Sequence, residues 1–389
     1  MPLIKRLLSK KNLHVIGMMS GTSLDGLDLA YCRIFSQRTR YMVKILNTAC
    51  YRFPDGLRGR LYTLASENKA SKESIKWTDI ELSKFYSAKV KRFISGHGIK
   101  SVDLIGCHGQ TIYHHDQRLT KSGKGTSLTW QIGDGAFLAA NTGIPVVSDF
   151  RPNDIALGGS GAPLMPICHY HIFGNNELDT AVLNIGGITN LTFLPKKGGK
   201  KNIQASDCGP GNMLVDQLMQ ILYGSKFDRG GKVALSGRIS KRLLINLKRH
   251  AWFKKPFPKS LGREQFGIEA AKYIIDWGTK YRIPKADLIT TASEMTVQAV
   301  LRYIENFCLP DRLVVCGGGE RNRYFISRLK DLLPSCGVLS SREADIDPDY
   351  VEAAGFALLG AMWIFNGCAN LPSVTGASRE TILGKLTLP

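Results

Sequence analysis

The sequence predicts an α/β protein built from two similar domains, and three observations carry the prediction. A strand-turn-strand unit with a glycine-rich turn occurs twice, around residues 15–34 and again in residues 180–194. Each copy is followed by helical sequence and then by a short buried strand, at residues 103–107 and 312–316. The chain has 389 residues, 43% of them hydrophobic, which is more than one core ordinarily organises. The break falls near residue 170, giving domains 1–170 and 171–389, with the last helix expected to pack back on the first domain. Duplicated domains of this kind are expected to hold their ligands in a cleft between them.

In the first copy, residues 17–35 read GMMSGTSLDGLDLAYCRIF. Val15, Ile16, Met18 and Met19 enter the turn, and Leu27, Leu29, Tyr31 and Ile34 leave it with the alternation of a half-buried strand. Gly21 and Gly26 let the backbone approach a ligand, while Ser20, Thr22 and Ser23 offer hydroxyls and amides to phosphate oxygens. Asp25 can reach a magnesium ion or its waters. An ordinary hairpin turn of small polar residues would look similar, but two further glycine turns downstream weigh against it. Helical sequence near residues 74–95 precedes the strand at 103–107, which opens onto His108-Gly109-Gln110-Thr111. Residues 144–166, rich in glycine and proline, read as a long ordered loop suited to a ligand. Within it the Arg151 fork suits a carboxylate or phosphate, or else a surface ion pair.

The second copy places Gly186 and Gly187 between Ile185 and Ile188, baring amides between two apolar strands. A third turn, Gly317-Gly318-Gly319, follows the strand at 312–316 and precedes a helix at 322–333, an arrangement that sets glycine backbone against an anion or a purine. Neither GxGxxG with its acidic partner nor a GK[ST] loop occurs. The remaining pattern is the actin/hexokinase style of nucleotide site. Asp207 stands just before a Gly-Pro-Gly turn that opens a helix at 213–223. That is a general-base position, or a plain N-cap and turn.

A net charge of +20 and a pI near 9.6 admit nucleic acid or an anionic small molecule as partner. Lysine and arginine cluster in residues 5–11, 196–201 and 238–263 without a nucleic-acid fingerprint or interleaved stacking aromatics, so solvated faces are the better reading. Nine cysteines, an odd number with no CxxC pair, fit reduced thiols in a cytosol. The histidines show no zinc-type spacing. The basic first residues are followed by too short an apolar stretch for a signal peptide or membrane span, so a soluble cytoplasmic protein is expected.

The ordered motifs resemble those of the anhydro-N-acetylmuramic acid kinases, sugar kinases of the actin/hexokinase superfamily. They are GMMSGTSLDGLD at 17–28, CHGQT at 107–111, WQIGDG at 130–135, DFRPNDIALGGSGAPLMP at 149–166, LNIGGITNLT at 183–192, DCGPGN at 207–212, FDRGG at 227–231, PKSLGREQF at 258–266, CGGGERN at 316–322 and EAAGFALLG at 352–360. The resemblance implies two ribonuclease H-like (actin/hexokinase-type) domains. It implies an enzyme that uses ATP and Mg2+ to open the 1,6-anhydro ring of 1,6-anhydro-N-acetylmuramic acid and phosphorylate it, in murein recycling. Asp207 would be the base. Gly21, Thr22, Ser23, Leu24, Asp25, Gly26, Leu27 and Asp28, with Gly186 and Gly187, would hold the phosphates; Gly317 and Gly318 would lie along the nucleotide. Arg151 would hold the lactyl carboxylate, with His108 and Glu352 as wall residues, and Asp25 would meet the metal through phosphates or water. A homodimer, with neither nucleic acid nor membrane as partner, is implied as well. Two departures stand out: Cys208 where threonine is usual, and TTASEMT at 290–296. The competing readings are a kinase of another amino sugar and a nucleotide-binding scaffold without turnover; the presence of Asp207, Asp25 and Arg151 argues against the scaffold.

Overall fold

Strand β1 (Asn12–Ser20) is buried on both faces through its centre, because it lies inside a sheet covered on both sides. The computed structural model describes residues 3–21, 24–37, 40–66, 70–116, 125–307 and 309–389. β1 pairs antiparallel with β2 (Gly26–Ser36), which pairs antiparallel with β3 (Tyr41–Arg52). On its other side β1 pairs parallel with β4 (Leu104–His115), which carries β5 (Leu128–Ile132) as an antiparallel extension and β6 (Val146–Ser148) in parallel.

The second sheet begins with the meander β7 (Thr180–Ile185), β8 (Ile188–Leu194) and β9 (Gln204–Pro210). β10 (Arg312–Cys316) then pairs parallel with β7, and β11 (Gly337–Ser340) parallel with β10. Strand order is therefore β3-β2-β1-β4-β6 in one sheet and β9-β8-β7-β10-β11 in the other. The same three-strand meander followed by the same two parallel additions contains the duplicated strand-turn-strand and later buried strand expected from the sequence, and extends it by a third meander strand and a second parallel strand in each sheet. A short β12 (Lys385–Thr387) closes the first sheet beyond β6.

Contacts divide the chain into Met1–Ile172 with Tyr350–Pro389, and Phe173–Asp349. The sequence predicts a second domain of 171–389 whose last helix packs back on the first; the contacts end the second unit at Asp349 and count that helix and everything after it with the first. The cause is the helix Val351–Ile364, apolar on nearly every side, which packs on β1, β2 and β4. Gly17 and Gly106 face one another in the β1–β4 register. A Cβ on Gly17 would lie 1.8 Å from the Ala353 carbonyl oxygen, and one on Gly106 2.1 Å from that of Phe356. The pair forms a trough in which helix backbone rests directly on strand backbone.

Several elements differ from the sequence reading. β3 is a regular edge strand that the pattern did not predict, because it has no buried residue and carries apolar Met42 and Leu46 on its exposed face, so apolar and polar letters do not alternate. β4 continues through His108 to His115 rather than ending at Cys107. Residues 144–166 are not one loop: they contain β6, the short helix Pro152–Ala156 and the start of the helix Met165–Phe173.

Candidate active site

In the first unit the β1–β2 turn is tied to β4 by Gln110, which is fully buried. Its side chain accepts from the Ser20 hydroxyl and donates to the Gly21 carbonyl at 3.3 Å, while the Leu24 amide closes back on the same carbonyl at 3.2 Å. Leu24 takes a left-handed φ of 57°. Leu24 and Leu27, expected at the phosphates, put their side chains into the core, so only their backbone is available to a ligand. Gly26 is required for another reason than expected: a Cβ there would meet the Tyr51 carbonyl oxygen at 2.4 Å, against β3. Asp25 is exposed and pairs with Arg58 at 3.3 Å, and its own carbonyl accepts from the Phe53 amide. Thr22 and Ser23 lie outside the described residues.

The same unit brings together Arg151, His108, Glu352 and Asp28. Arg151 donates to the Gly161 carbonyl and to His108 Nε2, both at 2.9 Å. His108 is buried against Phe356, and burial, reinforced by Arg151, pulls its pKa down to about 3. It is therefore neutral at physiological pH, with Nε2 accepting and Nδ1 carrying the proton. Burial also draws Arg151 down to about 10, with Glu352 opposing. Glu352 is raised by burial and then by Asp28, while Arg151 pulls it back. Arg151 Nε is buried with no partner in hydrogen-bonding geometry, whereas the Gly109 and Ser20 backbone lies close enough to the His108 ring to favour its protonated form. The arginine loop is held by Asp154, which is fully buried and accepts from the Gly161 amide at 2.8 Å, Asn370 at 2.9 Å and Thr375 at 2.7 Å. These partners anchor the Arg151 loop, and two of them, Asn370 and Thr375, come from residues distant in sequence that no local pattern connects.

In the second unit the β7–β8 turn is bound to the helix Asn212–Tyr223. The Gly186 amide donates to the Ile188 carbonyl at 3.1 Å, so that amide is spent within the turn. The Gly186 carbonyl accepts from the backbone and side chain of Asn212, and that of Gly187 from the Gly211 and Met213 amides. Cβ atoms at Gly186 and Gly187 would have nothing nearer than 3.7 Å, so these positions are open above the Cα. Gly317 has φ 77°, and its Cβ would meet Asn184 Oδ1 at 2.3 Å, which admits only glycine there. Gly318 lines a cavity of about 560 Å³ together with Asn212, Phe227, Arg229, Arg321 and Asn322. Asp228 caps the adjoining helix Lys232–Ser236 through the Val233 and Ala234 amides. Phe227 is half exposed at the rim, with the Arg229 guanidinium 5.8 Å from its ring centre. Gln110, Asn212 and Phe227 were not singled out by sequence; CHGQT, DCGPGN and FDRGG were the only signals pointing to them.

Asp207 lies within β9, and its carboxylate does not cap the following helix, whose N-cap is Gly211 with no side-chain bond. The capping alternative therefore falls. The carboxylate instead accepts from the Leu261 amide at 2.7 Å. Burial raises its pKa to about 7, the Leu261 bond opposing. A half-buried carboxyl poised near neutrality can take a proton from a hydroxyl or water.

The family model described as anhydro-N-acetylmuramic acid kinase matches residues 13–389. The protein of that name from Gloeobacter violaceus is 39% identical over 373 residues, spanning 95% of this chain and 97% of its own. The one from Caldanaerobacter subterraneus subsp. tengcongensis is 33% identical over 391 residues, spanning 98% and 99%. Among solved structures, component A of the (R)-2-hydroxyglutaryl-CoA dehydratase of Acidaminococcus fermentans aligns loosely, with TM-score 0.46 and 12% identity over 90% of this chain and 99% of that one. A family match along residues 13–389, with relatives 33–39% identical over nearly their whole length, places this chain in the anhydro-N-acetylmuramic acid kinase family.

Proposed function

We propose that the protein uses ATP and water to convert 1,6-anhydro-N-acetylmuramic acid into N-acetylmuramic acid 6-phosphate and ADP. The observation that carries this reading is the family match combined with Asp207, whose half-buried carboxyl titrates near 7. Asp207 takes a proton from water as its oxygen attacks C1. The C1–O6 bond breaks, and O6, keeping the bond's electron pair, accepts the γ-phosphoryl group while ADP leaves. Arg151, with Nε open, pairs with the lactyl carboxylate, and neutral His108 steadies the guanidinium through Nε2 as part of the sugar wall. Glu352 completes that wall.

The β1–β2 and β7–β8 turns hold the phosphates, through Gly187 rather than the spent Gly186 amide. Gly317 and Gly318 follow the nucleoside, and Phe227 offers a face to the purine. Magnesium suits the arrangement as an ion carried by the nucleotide: the exposed Asp25 carboxylate, paired with Arg58, would face its waters, and such ions keep most of their waters. When bound it neutralises charge on the transferred group. A cytoplasmic homodimer belongs to the same reading. Free buried thiols at Cys32, Cys107, Cys168, Cys208 and Cys336 support a reducing compartment, and the dimer rests on the family resemblance. No helix among the described residues is long and apolar enough to cross a membrane.

The test is ADP release from ATP with and without the anhydro sugar, followed by mass spectrometry of the sugar product formed in 18O water. Label at C1 and phosphate at O6 are expected. ADP release only with another amino sugar, or none with any, would overturn the proposal.

A further inference from the structure

Residues 258–261 run beside β9 and enclose Asp207 from both ends. The Asp207 amide donates to the Lys259 carbonyl at 3.1 Å, and the Leu261 amide returns to the Asp207 carboxylate at 2.7 Å. The Ser206 hydroxyl oxygen accepts from the Lys259 amide at 2.9 Å and lies 3.0 Å from the Lys259 carbonyl oxygen. Trp252, almost fully buried, donates its indole N–H to the Ser260 carbonyl at 3.0 Å.

The Lys259 side chain is what distinguishes this segment. It is only 6% exposed, and its ammonium lies 4.0 Å from the Trp252 ring centre and 4.3 Å from that of Phe257. Nζ donates to the carbonyls of Trp252 and Lys255 at 3.3 and 3.2 Å. No carboxylate pairs with it in the ion pairs among the described residues, and burial lowers its pKa to about 8, with Arg302 and Lys255 adding to the effect. A buried cation without a counter-charge is costly, and methionine would fill the same space at less cost. Such a residue points to a task beyond packing.

We propose that Lys259 is a positioning residue for Asp207: its caged ammonium pins residues 259–261 so that the Leu261 amide stays aimed at the carboxylate. This rests on Asp207 being the base. Without the pin the amide drifts, the ionised carboxylate loses its one described donor, and the base needs a higher pH to deprotonate. The charged and titratable groups around the segment are Cys208 on β9, Arg302 and Tyr303 on the helix Lys285–Phe307, His250, which accepts from the Trp252 amide and is lowered by burial and Lys255, and Lys255 and Lys259 themselves. Cys208 and Tyr303 are raised by burial and stay neutral through the range of the test. Lys259, titrating near 8, adds to the wild-type profile from about one unit below that pH upward.

The test is the pH profile of kcat/KM for the anhydro sugar in wild type, Lys259→Met, Lys259→Arg and Ser206→Ala, with folding followed by circular dichroism. Ser206→Ala cuts the same segment loose beside Asp207 while leaving the cage whole. Lys259→Met and Ser206→Ala are expected to move the acid limb upward by about one pH unit, the worth of one bond to a charged group. The KM for ATP should stay within about twofold, and Lys259→Arg should restore part of the shift. If Lys259→Met fails to fold, Ser206→Ala carries the test. A folded Lys259→Met or Ser206→Ala variant with the wild-type acid limb would overturn the proposal. Asp207→Asn separates the two levels: undiminished turnover there removes the base itself, whereas a dead Asp207→Asn with unmoved limbs removes only the role of Lys259.

Discussion

Replacing Asp207 by asparagine should abolish turnover and stabilise the protein at the same time. Burial lifts the carboxyl from its ordinary 3.8 to about 7. At 1.36 kcal/mol per pH unit, the folded state disfavours the charged form by roughly 4 kcal/mol, and partial solvent access trims the effective value to about 1–3 kcal/mol. The sign follows from linkage. Below pH 3.8 the group is protonated folded or unfolded and costs nothing. Between 3.8 and about 7 the unfolded chain ionises while the folded one does not, so stability falls as pH rises, and above 7 the full penalty persists. Asparagine carries no charge and still offers an oxygen to the Leu261 amide. Asp207→Asn should therefore gain about 1–3 kcal/mol at pH 8, a rise of roughly 2–4 °C in Tm per kcal/mol, and the gain should vanish towards pH 4. Turnover should fall by roughly 100- to 10,000-fold with ATP and sugar still bound. Calorimetric melts at pH 8, 6 and 4, beside steady-state kinetics, measure both. A variant less stable at every pH would mean that the carboxylate is a structural acceptor, and near-normal turnover would refute it as base.

Gly187→Ala meets no atom nearer than 3.7 Å, so stability should change by less than about 0.5 kcal/mol while the KM for ATP rises about tenfold; an unchanged KM removes this turn from the phosphates. Phe227→Ala should weaken ATP binding by roughly 1–3 kcal/mol in calorimetry and leave sugar binding alone, and equal loss of both ligands would deny it a stacking role. Arg151→Ala should raise the KM for the muramic sugar and shrink its preference over the anhydroglucosamine analogue by about tenfold or more, from roughly 1.5–3 kcal/mol for a charge-assisted bond. An unchanged ratio of specificity constants would place the lactyl carboxylate elsewhere. Gly17→Val drives a side chain into the Ala353 carbonyl and should cost about 3 kcal/mol or more, visible as insolubility or early urea unfolding; wild-type stability would contradict the backbone contact described.

What was legible in the sequence was periodic or punctuated. Residues 312–316 are a strand because an apolar run ends on glycines, and Asn322 opens the next helix with its own side chain. The Gly186–Gly187 hairpin announces itself in the same way. β3 has no trace in the pattern because its exposure alternates while its letters do not: apolar Met42 and Leu46 lie on the exposed face and no residue is buried. β4 seemed to stop at Cys107 because His108, Gly109 and Gln110 look like a turn, although buried pairing carries them on as strand. The Arg151–His108 contact spans 43 positions, and the Lys259–Asp207 bracket spans 52; neither has a local trace, since only folding brings the partners together. Gly26 and Gly17 look alike as letters, yet one serves a neighbouring strand and the other a helix more than three hundred residues away.

That distant helix sets an order of events on the ribosome. The first unit needs Val351–Ile364 over the Gly17–Gly106 trough, but those residues are made only after all of Phe173–Asp349. At about 5–20 residues per second, translation of the intervening stretch takes roughly 9–35 s. Throughout that time the nascent sheet shows a bare strip of backbone flanked by apolar side chains, whereas the second unit has its last strand as soon as Ser340 is made, before the helix is translated. The half that begins first thus finishes last, and a stall anywhere between Phe173 and Asp349 leaves it as client for a holding chaperone.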